Sequence, residues 1–158
     1  MLEVPLNRLP EDLSGVVRHL EAMYPQEGCG VILRAGPSGP WRVRPLRNAY
    51  DRYHAADPVR FPHTSRTAYH FELQEWLAVN EEADALGEQV ACVFHSHVNG
   101  FAGFSAEDRA QAAPAGLPVL PGVSYLVVAV LEGRATEAQL FWWQDGDFRD
   151  HLVPLGTE

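Results

Sequence analysis

His95-Ser96-His97-Val-Asn-Gly-Phe-Ala-Gly-Phe-Ser105-Ala-Glu-Asp108 follows directly on the apolar run Val90-Ala-Cys-Val-Phe94. Together these residues predict a strand, a glycine-containing turn and the start of a helix. Residues i and i+2 of a strand share a face, so His95 and His97 point together while Ser96 points away. Gly100 and Gly103 allow the chain to turn back. Ser105 suits the N-cap of the following helix and Asp108 its third position, where free N–H groups and the helix dipole favour a carboxylate. A catalytic zinc site uses three protein ligands and keeps a fourth position open. His95, His97 and Asp108 would supply that set. Plainer readings exist: Ser-x-x-Asp is also a capping box, and His-x-His on a strand can be two partly exposed side chains.

Outward from this stretch, residues 9–23 carry Leu13, Val16, Val17 and Leu20 at helical spacing behind Pro10, which predicts a helix. Gly28-Cys-Gly-Val-Ile-Leu33 reads as a buried strand, Gly36-Pro-Ser-Gly-Pro40 as a turn, and Trp41–Pro45 as its partnering strand. Residues 48–67 are polar and Pro-containing and read as a long irregular loop bordering a site. Phe71–Leu86 predicts an amphipathic helix ended by Gly87, and 89–95 a strand carrying the histidines. Ser105–Ala113 reads as a short helix and Ser124–Leu131 as the clearest core strand. Glu137–Trp143 and a last short strand lie either side of a turn at Asp145-Gly146. Interspersed helices and strands predict an α/β chain, a mixed sheet packed with helices.

The composition narrows the function. At 158 residues, with 46% apolar residues, the chain is about one domain long and can bury a normal core. A net charge of −9 without a basic cluster argues against nucleic acid and against an anionic membrane surface. All twelve basic residues are Arg, which excludes a lysine nucleophile, a Schiff base and a P-loop. Met1-Leu-Glu-Val-Pro5 has neither the basic start nor the apolar core of a signal peptide. Two cysteines, Cys29 and Cys92, are too few for a disulfide scaffold, so a reducing cytoplasm is the expected compartment. Both sit in apolar strands, where inert buried thiols are the common case.

A hydrolytic metal site also needs a general base. Spacing alone cannot locate one, although Glu27 stands at the threshold of a buried strand; its plain reading is an exposed turn residue. Glu27 ahead of Gly-Cys-Gly-Val-Ile-Leu, combined with His-x-His-x7-Ser-x2-Asp, resembles the JAMM motif of the MPN-domain metalloproteases, in a compact prokaryotic stand-alone form. Asn48, Asp57-Pro58 and the Tyr125 strand fall in similar places, so the resemblance covers about residues 10–145. It implies a single MPN/JAB-like, cytidine-deaminase-like domain over 1–158, with a central mixed, largely antiparallel sheet flanked by helices. It also implies one Zn2+ held by His95, His97 and Asp108. Glu27 would hold and deprotonate the metal-bound water, and Ser105 would help stabilise the oxyanion. Val98 departs from the family, which often has Pro after the second His; that position shapes the loop and does not bind metal.

The implied reaction is hydrolysis of a peptide or isopeptide bond, after the Gly-Gly tail of a ubiquitin-like or sulfur-carrier protein. Two other classes compete. A noncatalytic binding module for ubiquitin-like folds does not need the complete Glu, His, His, Ser, Asp set. A cupin-type site uses His-x-His but needs a Glu soon after, and here the next is Glu107. His54, His63 and His70 border the irregular segment and read chiefly as surface or packing residues, as do His19 and His151. The pair Trp142-Trp143 points to opposite faces of a strand and is a candidate for homodimer contact; the oligomeric state is otherwise open.

Overall fold

A computed structural model describes residues 7–155, and the Met1–Pro5 stretch lies outside them. Ten elements follow in order: α1 (Ser14–Met23), β1 (Cys29–Arg34), β2 (Trp41–Leu46), α2 (Tyr50–Ala56), α3 (Leu73–Leu86), β3 (Gln89–His97), α4 (Ala106–Ala112), β4 (Ser124–Leu131), β5 (Arg134–Gln144) and β6 (Asp147–Val153). The strands form one sheet in the order β2-β1-β3-β4-β5-β6. Every pairing is antiparallel except β3 with β4, which run parallel. The sheet is mixed and largely antiparallel, as expected.

Strand alternation sorts the core onto two faces. On one, Ile32, Cys92, Phe94, Leu126 and Val128 pack with Val16 and Leu20 of α1. On the other, Val31, Leu33, Val93 and Val127 pack with Val79 and Ala83 of α3 and Ala112 of α4. His95 and His97 share the parity of Val93, so both project to the α3/α4 face. Ser96 projects to the α1 face. The parallel β3–β4 pair needs a crossover, which α4 supplies; the β3–α4 loop therefore lies at the C-terminal end of β3, where ligand sites in parallel connections form.

Local chemistry explains the elements and their differences from expectation. The helix predicted over 9–23 begins only at Ser14, because the Asp12 carboxylate accepts the Ser14 N–H at 2.9 Å. Such a local bond competes with helix propagation. The stretch read as irregular over 48–67 contains α2, in which Tyr50 is the buried residue and the remainder is largely polar. α3 starts after Glu72, whose carboxylate accepts the Glu75 N–H at 3.0 Å. It ends at Gly87 with φ 67°, a conformation glycine adopts freely. Arg42 on β2 reaches Glu88 at 2.8 Å, and Arg44 reaches Glu82 at 2.9 Å, tying α3 to the sheet edge. Trp142 packs toward the α1 face, whereas Trp143 lies 5.1 Å from the Phe148 ring. No described helix is long and apolar enough to cross a membrane.

Candidate metal centre

The end of β3 delivers both imidazoles to one point. His95 Nε2 and His97 Nε2 lie 3.2 Å apart. Asp108 joins them from α4: Oδ1 is 3.2 Å from His95 Nε2, and Oδ2 is 2.8 Å from His97 Nε2. Its position follows from the cap. Asp108 N–H donates to Ser105 Oγ at 3.0 Å, and Ser105 N–H donates to Asp108 Oδ2 at 3.1 Å. The capping box and the cluster are thus one arrangement, not alternatives.

Glu27 arrives from the threshold of β1. It is 4% exposed, so the turn-residue reading gives way to a buried carboxylate. Glu27, His95 and His97 each offer a ligand atom within 4.8 Å of the others. Its backbone is held on both sides: the N–H donates to the Ser65 carbonyl at 2.7 Å, and its carbonyl accepts from Asn48 Nδ2 at 2.8 Å. A Cβ on Gly28 would come within 2.8 Å of Leu20 Cδ2 on α1, so any larger residue there would force that side chain to shift.

Several positions supporting the cluster carry no mark in the sequence. Ser96 Oγ accepts the Gly28 N–H at 2.8 Å, clasping the Glu27 segment to the histidine strand. The Phe101 carbonyl lies 2.9 Å from His97 Nδ1. A proton on Nδ1 satisfies that bond and would free the Nε2 lone pair for a metal ion that takes the place of the Nε2–Asp108 hydrogen bond. Tyr69 stacks on His95 with ring centroids 4.3 Å apart. Asp51 binds both the N–H and the hydroxyl of Ser65, at 2.8 and 2.7 Å, and so anchors the segment that Glu27 leans on.

The electrostatics separate the two carboxylates. Burial pushes Glu27 up to about 8; His97 opposes that shift and the Asp108 charge adds to it. Burial would also raise Asp108, but the charge of His95 and the bonds from both imidazoles hold it well below the usual carboxylate range. His95 is lowered by burial. For His97, burial favours the neutral ring, yet the bond and charge of Asp108 outweigh it and shift the group upward.

These residues fit a divalent metal. Bonds of about 2.0–2.1 Å at tetrahedral angles place ligand atoms roughly 3.3 Å apart; the two imidazole Nε2 atoms lie 3.2 Å apart, and each lies 2.8–3.2 Å from a different oxygen of Asp108. Buried polar side chains are normally hydrogen-bonded. Among the described residues, however, Glu27 Oε1 and His95 Nδ1 have no partner. An orphaned carboxylate oxygen beside converging imidazoles is what a polar occupant of the cluster would satisfy.

A cleft of about 160 Å3 opens over the cluster, lined by Glu27, His97, Ser105, Val98 and Arg66 among others. Beside it, between α3, α4 and the sheet, an apolar cavity of about 270 Å3 includes Phe71, Trp76, Phe104, Tyr125 and Asp108. The remaining histidines take no part in the cluster. His54 Nδ1 meets the Phe61 carbonyl at 2.6 Å, His70 packs 4.4 Å from the Tyr53 ring, and His63 Nε2 lies 3.5 Å from Glu107. His19 Nε2 meets the Cys29 carbonyl at 3.1 Å, and His151 packs on Trp142. Both cysteines are free and buried, outside the donor group.

Solved structures of other proteins share this fold. A protein from Desulfitobacterium hafniense is 21% identical with a TM-score of 0.65, covering 100% of this chain and 94% of that one. A protein from Salinibacter ruber is 24% identical with a TM-score of 0.57, covering 90% of this chain and 86% of that one. Among curated proteins none matches. The family model for prokaryotic homologs of the JAB domain matches residues 11–144. That span runs from just before α1 to the end of β5 and includes Glu27, His95, His97, Ser105 and Asp108. The chain therefore belongs to the prokaryotic JAB-domain family.

Proposed function

We propose that this chain is a zinc-dependent hydrolase of peptide or isopeptide bonds, cleaving after the C-terminal Gly-Gly of a ubiquitin-like or sulfur-carrier protein. The observation that carries the reading is the unpartnered Glu27 Oε1 beside the His95–His97–Asp108 cluster, at the floor of a narrow cleft. The JAB-domain family includes the JAMM proteases, and the chain retains each residue type that their motif requires.

His95, His97 and Asp108 would hold the ion. A bound Zn2+ supplies a Lewis acid and brings the pKa of coordinated water to about 7. The chain's own residues divide the remaining work. Asp108 stays ionised between two imidazoles, while Glu27, the more basic carboxylate, takes a proton from water at Oε1 and returns it to the departing amine nitrogen. Ser105 Oγ accepts the Asp108 N–H, and its own O–H remains available to donate to the oxyanion developing on the substrate carbonyl. The Phe101 carbonyl keeps His97 in one tautomer throughout. A cleft of about 160 Å3, below the roughly 300–1,000 Å3 of ordinary ligand pockets, suits an extended glycine tail.

The test is incubation of the zinc-loaded protein with the host's Gly-Gly-ended carrier proteins bearing C-terminal extensions, followed by intact mass. The expected product is a carrier ending in Gly-Gly. Uncleaved carriers with zinc confirmed bound would overturn the reading.

A further inference from the structure

The two imidazoles of the cluster are held differently. His97 has a partner at each ring nitrogen: the Phe101 carbonyl lies 2.9 Å from Nδ1, and Asp108 Oδ2 lies 2.8 Å from Nε2. His95 has Asp108 Oδ1 at 3.2 Å from Nε2, but its Nδ1 is buried without a partner among the described residues. A metal-binding histidine almost always donates its second ring N–H to a carboxylate, a carbonyl or water, and that bond fixes the ring. The terminal torsion of histidine is broad, so the ring does not orient itself. What orients His95 has to come from packing.

Its neighbours narrow the source. In the sheet, His95 lies between Cys29 on β1 and Val127 on β4. The Cys29 thiol is turned to the Leu46 carbonyl at 3.8 Å, and Val127 offers only methyl groups. Over the ring lies Tyr69, stacked on the imidazole with 4.3 Å between centroids and 24° between planes. Tyr69 is itself tied down. Asn48 grips the backbone on either side of it: Nδ2 donates to the Ala68 carbonyl at 3.1 Å, and Oδ1 accepts the His70 N–H at 3.2 Å. The same Nδ2 donates to the Glu27 carbonyl at 2.8 Å. One carboxamide therefore sets the residue stacked on His95 and the carboxylate beside it in a common frame.

We infer that Tyr69 is the positioning residue for His95: its ring face, in place of a hydrogen bond at Nδ1, fixes the plane in which Nε2 meets the ion. This rests on the zinc-binding part of the reading above and gives a role to a residue outside the ligand set. The stack sets the plane, and the Asp108 contact selects Nε2 over the opposite edge of the ring. An aromatic pair is worth roughly 2- to 10-fold in an equilibrium constant beyond the area it buries. Groups that orient a metal ligand are worth roughly 10- to 100-fold in metal affinity.

Zinc affinity by chelator competition tests this on wild type, Tyr69→Phe, Tyr69→Leu and Phe141→Leu. Phe141 is buried on the same side of the sheet, outside the ligand set, and controls for lost packing. Tyr69→Phe keeps the ring and should bind zinc as wild type does. Tyr69→Leu keeps apolar bulk without a ring, and its dissociation constant should rise roughly 10-fold. Phe141→Leu should lose stability to urea but not zinc affinity. In zinc-loaded wild type and Tyr69→Phe, the His95 ring protons should resonate upfield of those of His97, under the ring current of the stacked face. Should Tyr69→Leu fail to fold, Tyr69→Phe and the ring-current shift decide. Unchanged affinity in Tyr69→Leu, an equal loss in Phe141→Leu, weakened binding in Tyr69→Phe, or His95 protons without the upfield shift would each overturn the role of the stack and leave the metal reading standing. Wild-type protein that binds no zinc would overturn both.

Discussion

The Gly28 amide donates to the Ser96 hydroxyl at 2.8 Å, and the Ser96 amide answers by donating to the Gly28 carbonyl at 3.0 Å. This reciprocal clasp joins residues 68 apart in the chain. It sets Glu27, one residue before it, against His95 and His97, one residue on either side. Ser96→Ala removes the acceptor and leaves a buried N–H unsatisfied, at a cost of about 1–3 kcal/mol. Urea unfolding should show that loss. Zinc content should stay near wild type, since no ligand is touched, while kcat falls because the proton acceptor is no longer held in place.

Asn48 closes the same region from the other side. Its amide bonds the carbonyls of Glu27 and Ala68, and its oxygen accepts from the Tyr50 and His70 amides at 3.0 and 3.2 Å. Asn48→Asp turns the donating nitrogen into an oxygen facing carbonyls. A destabilisation of about 2 kcal/mol or more is expected from the lost bonds and the new repulsion. Thermal unfolding of the purified variant checks it.

Asp51 provides the acid response. Its carboxyl is held below its ordinary value of 3.8, first by the Ser65 hydroxyl and then by the Ser65 N–H. The depressed folded-state pKa means this stabilisation is present above that ordinary value and is lost as pH falls through the folded one. Asp51→Asn should therefore flatten the dependence of stability on pH below about 4. Urea midpoints between mildly and strongly acid pH would show it, and an identical slope in both proteins would contradict the role.

The thiols report on the core. Burial pushes the Cys92 thiol up to about 12 and raises Cys29 as well. Native protein should not react with a thiol reagent at mildly alkaline pH, and both cysteines should react once denaturant is added.

Those residues show where sequence was a sufficient guide and where it was not. Alternation along the last residues of β3, past the bulge at Ala91, was enough to place His95 and His97 on one face, because side chains two apart in a strand share a side. Ser105 and Asp108 were legible because a helix start demands such a pair. Glu27 was legible only as part of a composite motif; its contacts are with the neighbouring strand and with Asn48 and Ser65, all distant in sequence, and local pattern cannot report them. α2 escaped because it buries essentially Tyr50 and carries Asp51, Arg52 and His54 outward, so no apolar stripe marks it. Ser96 and Asp51 were silent for another reason. Their roles are bonds to backbone distant in sequence, which do not exist until the chain has folded.

In the proposed mechanism His95, His97 and Asp108 hold the ion while Glu27 moves the proton, and zinc per chain, measured on purified Glu27→Gln and Asp108→Ala alongside wild type, separates those roles. About one ion per chain is expected in wild type and in Glu27→Gln, whose turnover on an extended carrier should fall by roughly 100-fold or more, with a marked loss of zinc in Asp108→Ala. Loss of zinc from Glu27→Gln with full retention in Asp108→Ala would contradict it, exchanging the roles of the two carboxylates.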